Sequence, residues 1–170
     1  MKTRALFIGR FQPLHKGHVL AIKWMLERHD EVVVVLGSSQ EHGTMKNPLS
    51  SDERISMFQK QFPKKILSRL ALVPVPDIND DSRWVGHVLS FVPHCDVIYT
   101  NNDFVQKLFR HDGKIEAAGT PLFDRGENEG TRIRDMLAKG DHGWKNHVTE
   151  EVADYLVRIG MEERIRKMKK

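Results

Sequence analysis

Two hydrophobic periods alternate along the chain. Ala5-Leu6-Phe7-Ile8 is a short unbroken apolar run closed by Gly9, and Val32-Val33-Val34-Val35-Leu36 is a second, closed by Gly37. Runs this short, uninterrupted and rich in β-branched residues predict strands covered on both faces. Leu70 to Val75 and Val97-Ile98-Tyr99 repeat the theme, each followed by polar residues. Between the runs the spacing is helical, as with Val19, Ile22, Met25 and Leu26. Helices are predicted over residues 16–28, 51–61, 82–92, 103–110, 131–138 and 148–158, with a basic one at the end. Strand alternating with helix implies parallel βαβ units with right-handed crossovers. The expected fold class is α/β, a Rossmann-like three-layer α/β/α sandwich around a parallel sheet. Its ligand groups should converge where the strands end.

A length of 170 residues and a hydrophobic content of 39% suffice for one core. With no linker, repeat or low-complexity tract, residues 1–170 read as a single domain, with C-terminal helices from about residue 147 packed on it. No apolar run approaches the roughly 20 residues that span a bilayer, and the sequence enters a strand pattern where a signal peptide would lie. A cytoplasmic protein without membrane contact is expected. Cys95 is the sole cysteine, which excludes an intrachain disulfide and a CxxC site. The net charge of +4 suits polyanionic small molecules. The basic residues are dispersed except in the tail Arg164 to Lys170, which reads as a solvated helix end, so no nucleic-acid partner is expected. The chain lacks the P-loop, GxGxxG, GxSxG and HExxH patterns and any compact Cys/His cluster. No protein-held metal is expected.

Chemistry concentrates in Gly9-Arg10-Phe11-Gln12-Pro13-Leu14-His15-Lys16-Gly17-His18. This segment joins a strand end to a helix start, whose unpaired N–H groups and positive dipole end favour an anion. If the helix begins near Lys16, His15 and His18 both face its mouth, and Gly17 leaves room for ligand. Either His15 caps the loop and His18 merely opens a helix, or both donate to a phosphoryl group. A second anion site is predicted at Gly130-Thr131-Arg132-Ile133-Arg134, where a hydroxyl and two guanidiniums share one helical turn. The bland alternative is a threonine cap with solvated arginines.

Other polar residues fall at strand ends. Ser38, Ser39 and Gln40 read as a serine turn or as a phosphate or ribose contact, and Asp77 with Ile78 as a turn or as acceptor recognition. Asn101 and Asn102 either cap a helix or bind nucleotide. Gln40 to Asp52 is a polar loop at the ligand edge that reads as a lid. Trp84 lies on a helical stripe with Val88 and Val92, the pattern of a core residue, yet its indole also suits stacking against a flat cationic ring.

HKGH after GRFQP resembles the His-x-Gly-His signature of the nucleotidyltransferases. The longer string, together with GSSQ, KNPLSSDER, VPDIN, RWVGH and GTRIRDML, is similar to nicotinamide-nucleotide adenylyltransferases of the archaeal type over most of the chain. The resemblance implies transfer of AMP from ATP to nicotinamide mononucleotide (NMN), giving NAD and pyrophosphate, with Mg2+ delivered by the ATP. It implies catalytic roles for His15, His18, Arg134 and Lys46. It implies ATP contacts from Gly9, Arg10, Phe11, His15, Gly17, His18, Asn101, Thr131, Arg132, Ile133 and Arg134, and NMN contacts from Arg10, Gln12, Ser38, Ser39, Asp77, Ile78 and Trp84. Relatives of this type form hexamers, so a homo-oligomer is expected. Two departures stand out. Lys46 occupies a place where many relatives carry arginine, and Glu129 precedes Gly130 in place of a hydroxyl residue, setting a carboxylate near the triphosphate unless it points away or meets magnesium. The alternatives are an adenylyl- or cytidylyltransferase for another phosphorylated acceptor, and a non-catalytic nucleotide sensor with the same cleft.

Overall fold

The computed structural model describes residues 2–121, 123 and 129–168. The last two lysines of the basic tail, Lys169 and Lys170, lie outside them. In chain order the elements are β1 (Arg4–Gly9), α1 (Lys16–Leu26), β2 (Glu31–Leu36), α2 (Ser51–Gln61), α3 (Lys64–Leu67), β3 (Leu70–Pro74) and α4 (Asp81–Phe91). There follow β4 (Val97–Tyr99), α5 (Asp103–Asp112), β5 (Glu116–Ala118), α6 (Glu129–Lys139), a 3-10 turn (His142–His147), α7 (Glu150–Arg158) and α8 (Met161–Met168).

The five strands are all parallel, in the order β3-β2-β1-β4-β5. The unbroken valine run of β2 has the predicted cause. Val32, Val34 and Leu36 enter one apolar cluster with α1, α2, α6, α7 and α8, while Val33 and Val35 enter the other with α4 and α5. The sheet is therefore covered on both faces, and the three-layer expectation holds. β5, which the sequence did not reveal, is a short edge strand, Glu116-Ala117-Ala118, without β-branched residues. Pairing with β4 on one side holds it. β3 ends at Pro74, one residue before the expected end, and as the other edge strand it tolerates proline.

Local signals fix the helix ends. Glu53 N–H donates to Ser50 Oγ at 3.2 Å while Ser50 N–H donates to Glu53 Oε2 at 2.9 Å, a reciprocal cap that starts α2. Asn102 Oδ1 accepts from Phe104 and Val105 to start α5, and Gly113 ends it at φ +71°. The C-terminal segment closes over the first apolar cluster through Trp144, which is fully buried. Its indole N–H donates to Glu162 Oε1 of α8 at 3.0 Å. No described helix is long and apolar enough to cross a membrane.

The strand order reverses between β1 and β4, because the chain leaves β3 at one edge and returns to the middle of the sheet. At such a switch point the loops after the two strands part and leave a crevice. Gly9–Arg10 and Thr100–Asn101 are the residues that flank it.

Candidate active site

A cleft of about 500 Å³ opens at that point, between the turn after β1, the turn after β4 and the start of α6. The glycine at the end of β1 has a steric reason. A Cβ on Gly9 would lie 2.9 Å from the Phe11 ring, closer than side chains tolerate. Phe11 itself adopts φ +51° and is buried, its ring packed on Phe58 (5.1 Å between centroids) and on His18 (4.7 Å). Its side chain supports the histidine from behind, so only its backbone is left to meet a ligand. Gln12 is likewise buried and committed. Its amide donates to Leu49 O at 2.8 Å and accepts from Leu49 N–H at 2.9 Å, fastening the 40–50 loop to the motif.

α1 begins at Lys16 with His15 as its N-cap, as the spacing predicts. The two imidazoles stack, with ring centroids 3.5 Å apart and planes 25° from parallel. His15 N–H approaches His18 Nδ1 at 3.4 Å. An accepting Nδ1 places the proton of a neutral His18 on Nε2, which is then a donor. Burial, reinforced by the charge of His147, pushes the His15 pKa down to about 4. Burial and the neighbouring His15 hold His18 well below its ordinary range. Near neutral pH the pair therefore offers N–H donors rather than cations.

The positive charge comes from arginines. Arg134 of α6 is buried, with Nη1 donating to Gln12 O at 2.8 Å and Nη2 to Thr131 Oγ1 at 3.0 Å. Residues 122 positions apart in sequence are thus in contact at one site. Gly130 lies under this guanidinium, where a Cβ would approach Nη1 to 3.2 Å. Arg10 places Nη1 in a buried position without a hydrogen-bond partner among the described residues. Arg54 is fully buried and binds the ends of β1 and β2 together, donating to Arg10 O at 2.9 Å and Gly37 O at 2.7 Å. Burial first, then the charge of Arg10, lowers the Arg134 pKa; Arg54 is lowered by burial and Arg10 against the opposing pull of Asp77. Arg10 and Arg134 line the cleft, and a pair of guanidiniums that feel each other beside a helix N-terminus suits an anion, while Arg54 holds the strand ends from behind.

The sequence-predicted residues divide into two groups. Gly9, Arg10, Phe11, Gln12, His15, Gly17, His18, Asn101, Thr131 and Arg134 line the cleft. Asn101 is held by Thr120, donating to its hydroxyl at 2.8 Å and accepting from its N–H at 3.0 Å, while Asn102 serves as the helix cap. Outside the lining, Ile133 is fully buried in the core and Arg132 is exposed on α6. Lys46 is exposed in the 40–50 loop. Ser38, at φ +49°, hydrogen-bonds the Asp77 carboxylate, and Gln40 Oε1 accepts from Asp77 N–H at 3.0 Å, so the ends of β2 and β3 form one polar patch beside Arg54. Ser39 O accepts from Ser51 Oγ at 3.0 Å. Ile78 borders a shallow depression with Arg83 and His87, and Trp84 packs edge-on against Phe109 at 6.0 Å, as a core residue does.

Sequence reasoning missed two residues. Arg54 shares a helical face with Met57 and Phe58, so a charge inside an apolar stripe was the available signal. His147 lies in the 3-10 turn, which has no periodicity to read, and its Nδ1 is paired with Glu129 Oε1. The Glu129 carboxylate, a departure noted in the sequence, therefore has a partner. Among the described residues no group of three or more His, Cys, Asp or Glu is set to hold a metal ion.

A family model described as cytidylyltransferase-like matches residues 6–136. The nicotinamide-nucleotide adenylyltransferase of Caldivirga maquilingensis is 44% identical over 166 residues, covering 96% of this chain and 93% of its own. That of Ignicoccus hospitalis is 40% identical over 169 residues, covering 98% of each. Among solved structures, a bifunctional NMN adenylyltransferase/ADP ribose pyrophosphatase from Francisella tularensis, complexed with AMP and a manganese ion, superposes with TM-score 0.76 at 19% identity. It covers 99% of this chain, which spans about half (52%) of that one. A nicotinic acid mononucleotide adenylyltransferase from Plasmodium falciparum gives TM-score 0.61 at 13% identity, covering 96% and 98%. These two likenesses are of fold. Near-full-length identity with the curated relatives, on a sheet whose switch point carries the His-x-Gly-His turn, establishes that the chain belongs to the nicotinamide-nucleotide adenylyltransferase family.

Proposed function

We infer that the protein transfers the adenylyl group of ATP to the 5′-phosphate of nicotinamide mononucleotide, forming NAD and releasing pyrophosphate. The observation that carries the reading is the contact of Arg134 with Gln12 O, which sets the α6 anion site beside the His15–His18 turn in one cleft. A phosphate oxygen of NMN attacks the α-phosphorus of ATP in line. The new O–P bond forms as the bond to the β-phosphate oxygen breaks, and the electron pair leaves with pyrophosphate. The N–H donors of His15 and His18 hold the α-phosphoryl oxygens as their charge grows. Each such donor contributes roughly 3 kcal/mol in comparable sites. The first-turn N–H groups of α6, Thr131 and Arg134 hold the β and γ phosphates, and Arg10 supplies its unpartnered N–H groups between the two substrates.

Magnesium brought by ATP supplies charge neutralisation across the phosphates. The described lining would offer such an ion one carboxylate, that of Glu129, already engaged by His147, so the ion would be held through the ATP that brings it and not by this chain. The acceptor lies across the ends of β2 and β3, over Ser38, Ser39, Asp77 and Ile78, with Trp84 offered to its ring and Lys46 reaching in from the loop as it closes. Arg132 and the backbone of Ile133 extend the triphosphate site. We place the reaction in the cytoplasm, in a homo-oligomer.

Purified protein incubated with ATP, magnesium and a panel of phosphorylated acceptors should release pyrophosphate with NMN. Release only with a different acceptor would refute the assignment. His18→Ala should lower kcat at least about a hundredfold with the fold retained; near-normal turnover would remove His18 from the chemistry.

A further inference from the structure

Glu129 opens α6, the helix whose first turn holds Thr131 and Arg134, and its side chain is only 14% exposed. A carboxylate in that place opposes the anion site it borders. Its partner, His147, is 20% exposed and comes from the 3-10 turn, a separate element buttressed by Trp144. Lys16 Nζ donates to Asn146 O at 2.8 Å, so the turn carrying His147 is tied to the start of α1 as well. Two described groups bear on the imidazole, Glu129 on α6 and His15 at the start of α1, while Lys145 of the same turn sits over the Trp144 ring at 5.8 Å.

We propose that the Glu129–His147 pair governs how tightly the site holds polyphosphate: engaged by the imidazole, the carboxylate is held off the phosphates and the triphosphate is admitted. Without that partner the carboxylate stands uncompensated beside the phosphates and binding weakens. Both residues are positioning residues, since they act on the ligand through charge at the helix mouth. The inference rests on the placement of the triphosphate on α6 proposed above.

The test is the KM for ATP, at saturating NMN, for the native protein, His147→Leu, Glu129→Gln and the double variant. His147→Leu should raise it about tenfold, equivalent to ~1.4 kcal/mol, while the NMN KM stays level. Glu129→Gln and the double variant should bind ATP at least as tightly as the native protein, the second change rescuing the first. Should His147→Leu fail to fold, His147→Asn, smaller and polar, carries the same expectation. A native ATP KM in His147→Leu, or failure of Glu129→Gln to rescue it, overturns the proposal. Arg134→Met separates the two readings. If it leaves the ATP KM unchanged, the triphosphate is not on α6; if it raises the KM while His147→Leu keeps the native value, only the counter-charge fails.

Discussion

Acid should destabilise the protein through His15, by an amount its environment sets. The folded-state pKa is about 4 against 6.5 for the free side chain, because burial disfavours the cation. The unfolded chain therefore takes up a proton as pH falls below 6.5, and the folded chain does not until about pH 4. Stability from this group is complete above 6.5 and is lost progressively as pH drops through that window. Linkage gives a loss of about 2 kcal/mol at pH 5 and ~3 kcal/mol at pH 4 from His15 alone. His18, stacked on it and also lowered, adds in the same direction. The variant to compare is His15→Asn, because asparagine still caps the helix. Urea unfolding at about pH 8 and pH 5 should show the native protein losing roughly 2 kcal/mol more than the variant. Equal losses in both would refute the view that His15 folds as a buried neutral imidazole, and with it the assignment of the pair as N–H donors instead of cations.

Gln12→Ala removes both hydrogen bonds to Leu49, leaving a buried N–H and C=O unpaired at a cost of ~1–3 kcal/mol. Hydrogen exchange at the Leu49 amide should accelerate with little change at β2, and unchanged protection would show that the 40–50 loop is held by other contacts. Trp84→Ala should lower the melting temperature through the lost Phe109 contact. An accompanying rise in the NMN KM above that of ATP would show an acceptor role as well; a stability loss with both KM values unmoved would leave Trp84 a core residue.

The sequence by itself determined the layered α/β class, the strand-turn-helix at Gly9 to His18 and the helix that carries Thr131 and Arg134. These are local: apolar period, glycine and cap chemistry act between residues a few positions apart, and the valine run of β2 has no fold but one with both faces covered. Chemistry shared with a family was legible in the same strings. Tertiary structure alone decided what depends on distance along the chain. Only folding sets Arg134 against Gln12 O, buries Arg54 among the carbonyls of Arg10 and Gly37, and brings His147 from an aperiodic turn onto Glu129. β5 escaped notice for a related reason, since an alanine-rich edge strand is made by its neighbour and not by its own propensity. The charge state of His15 and His18 belongs to the same class, because a pKa is set by what surrounds a group, and a sequence does not show its surroundings.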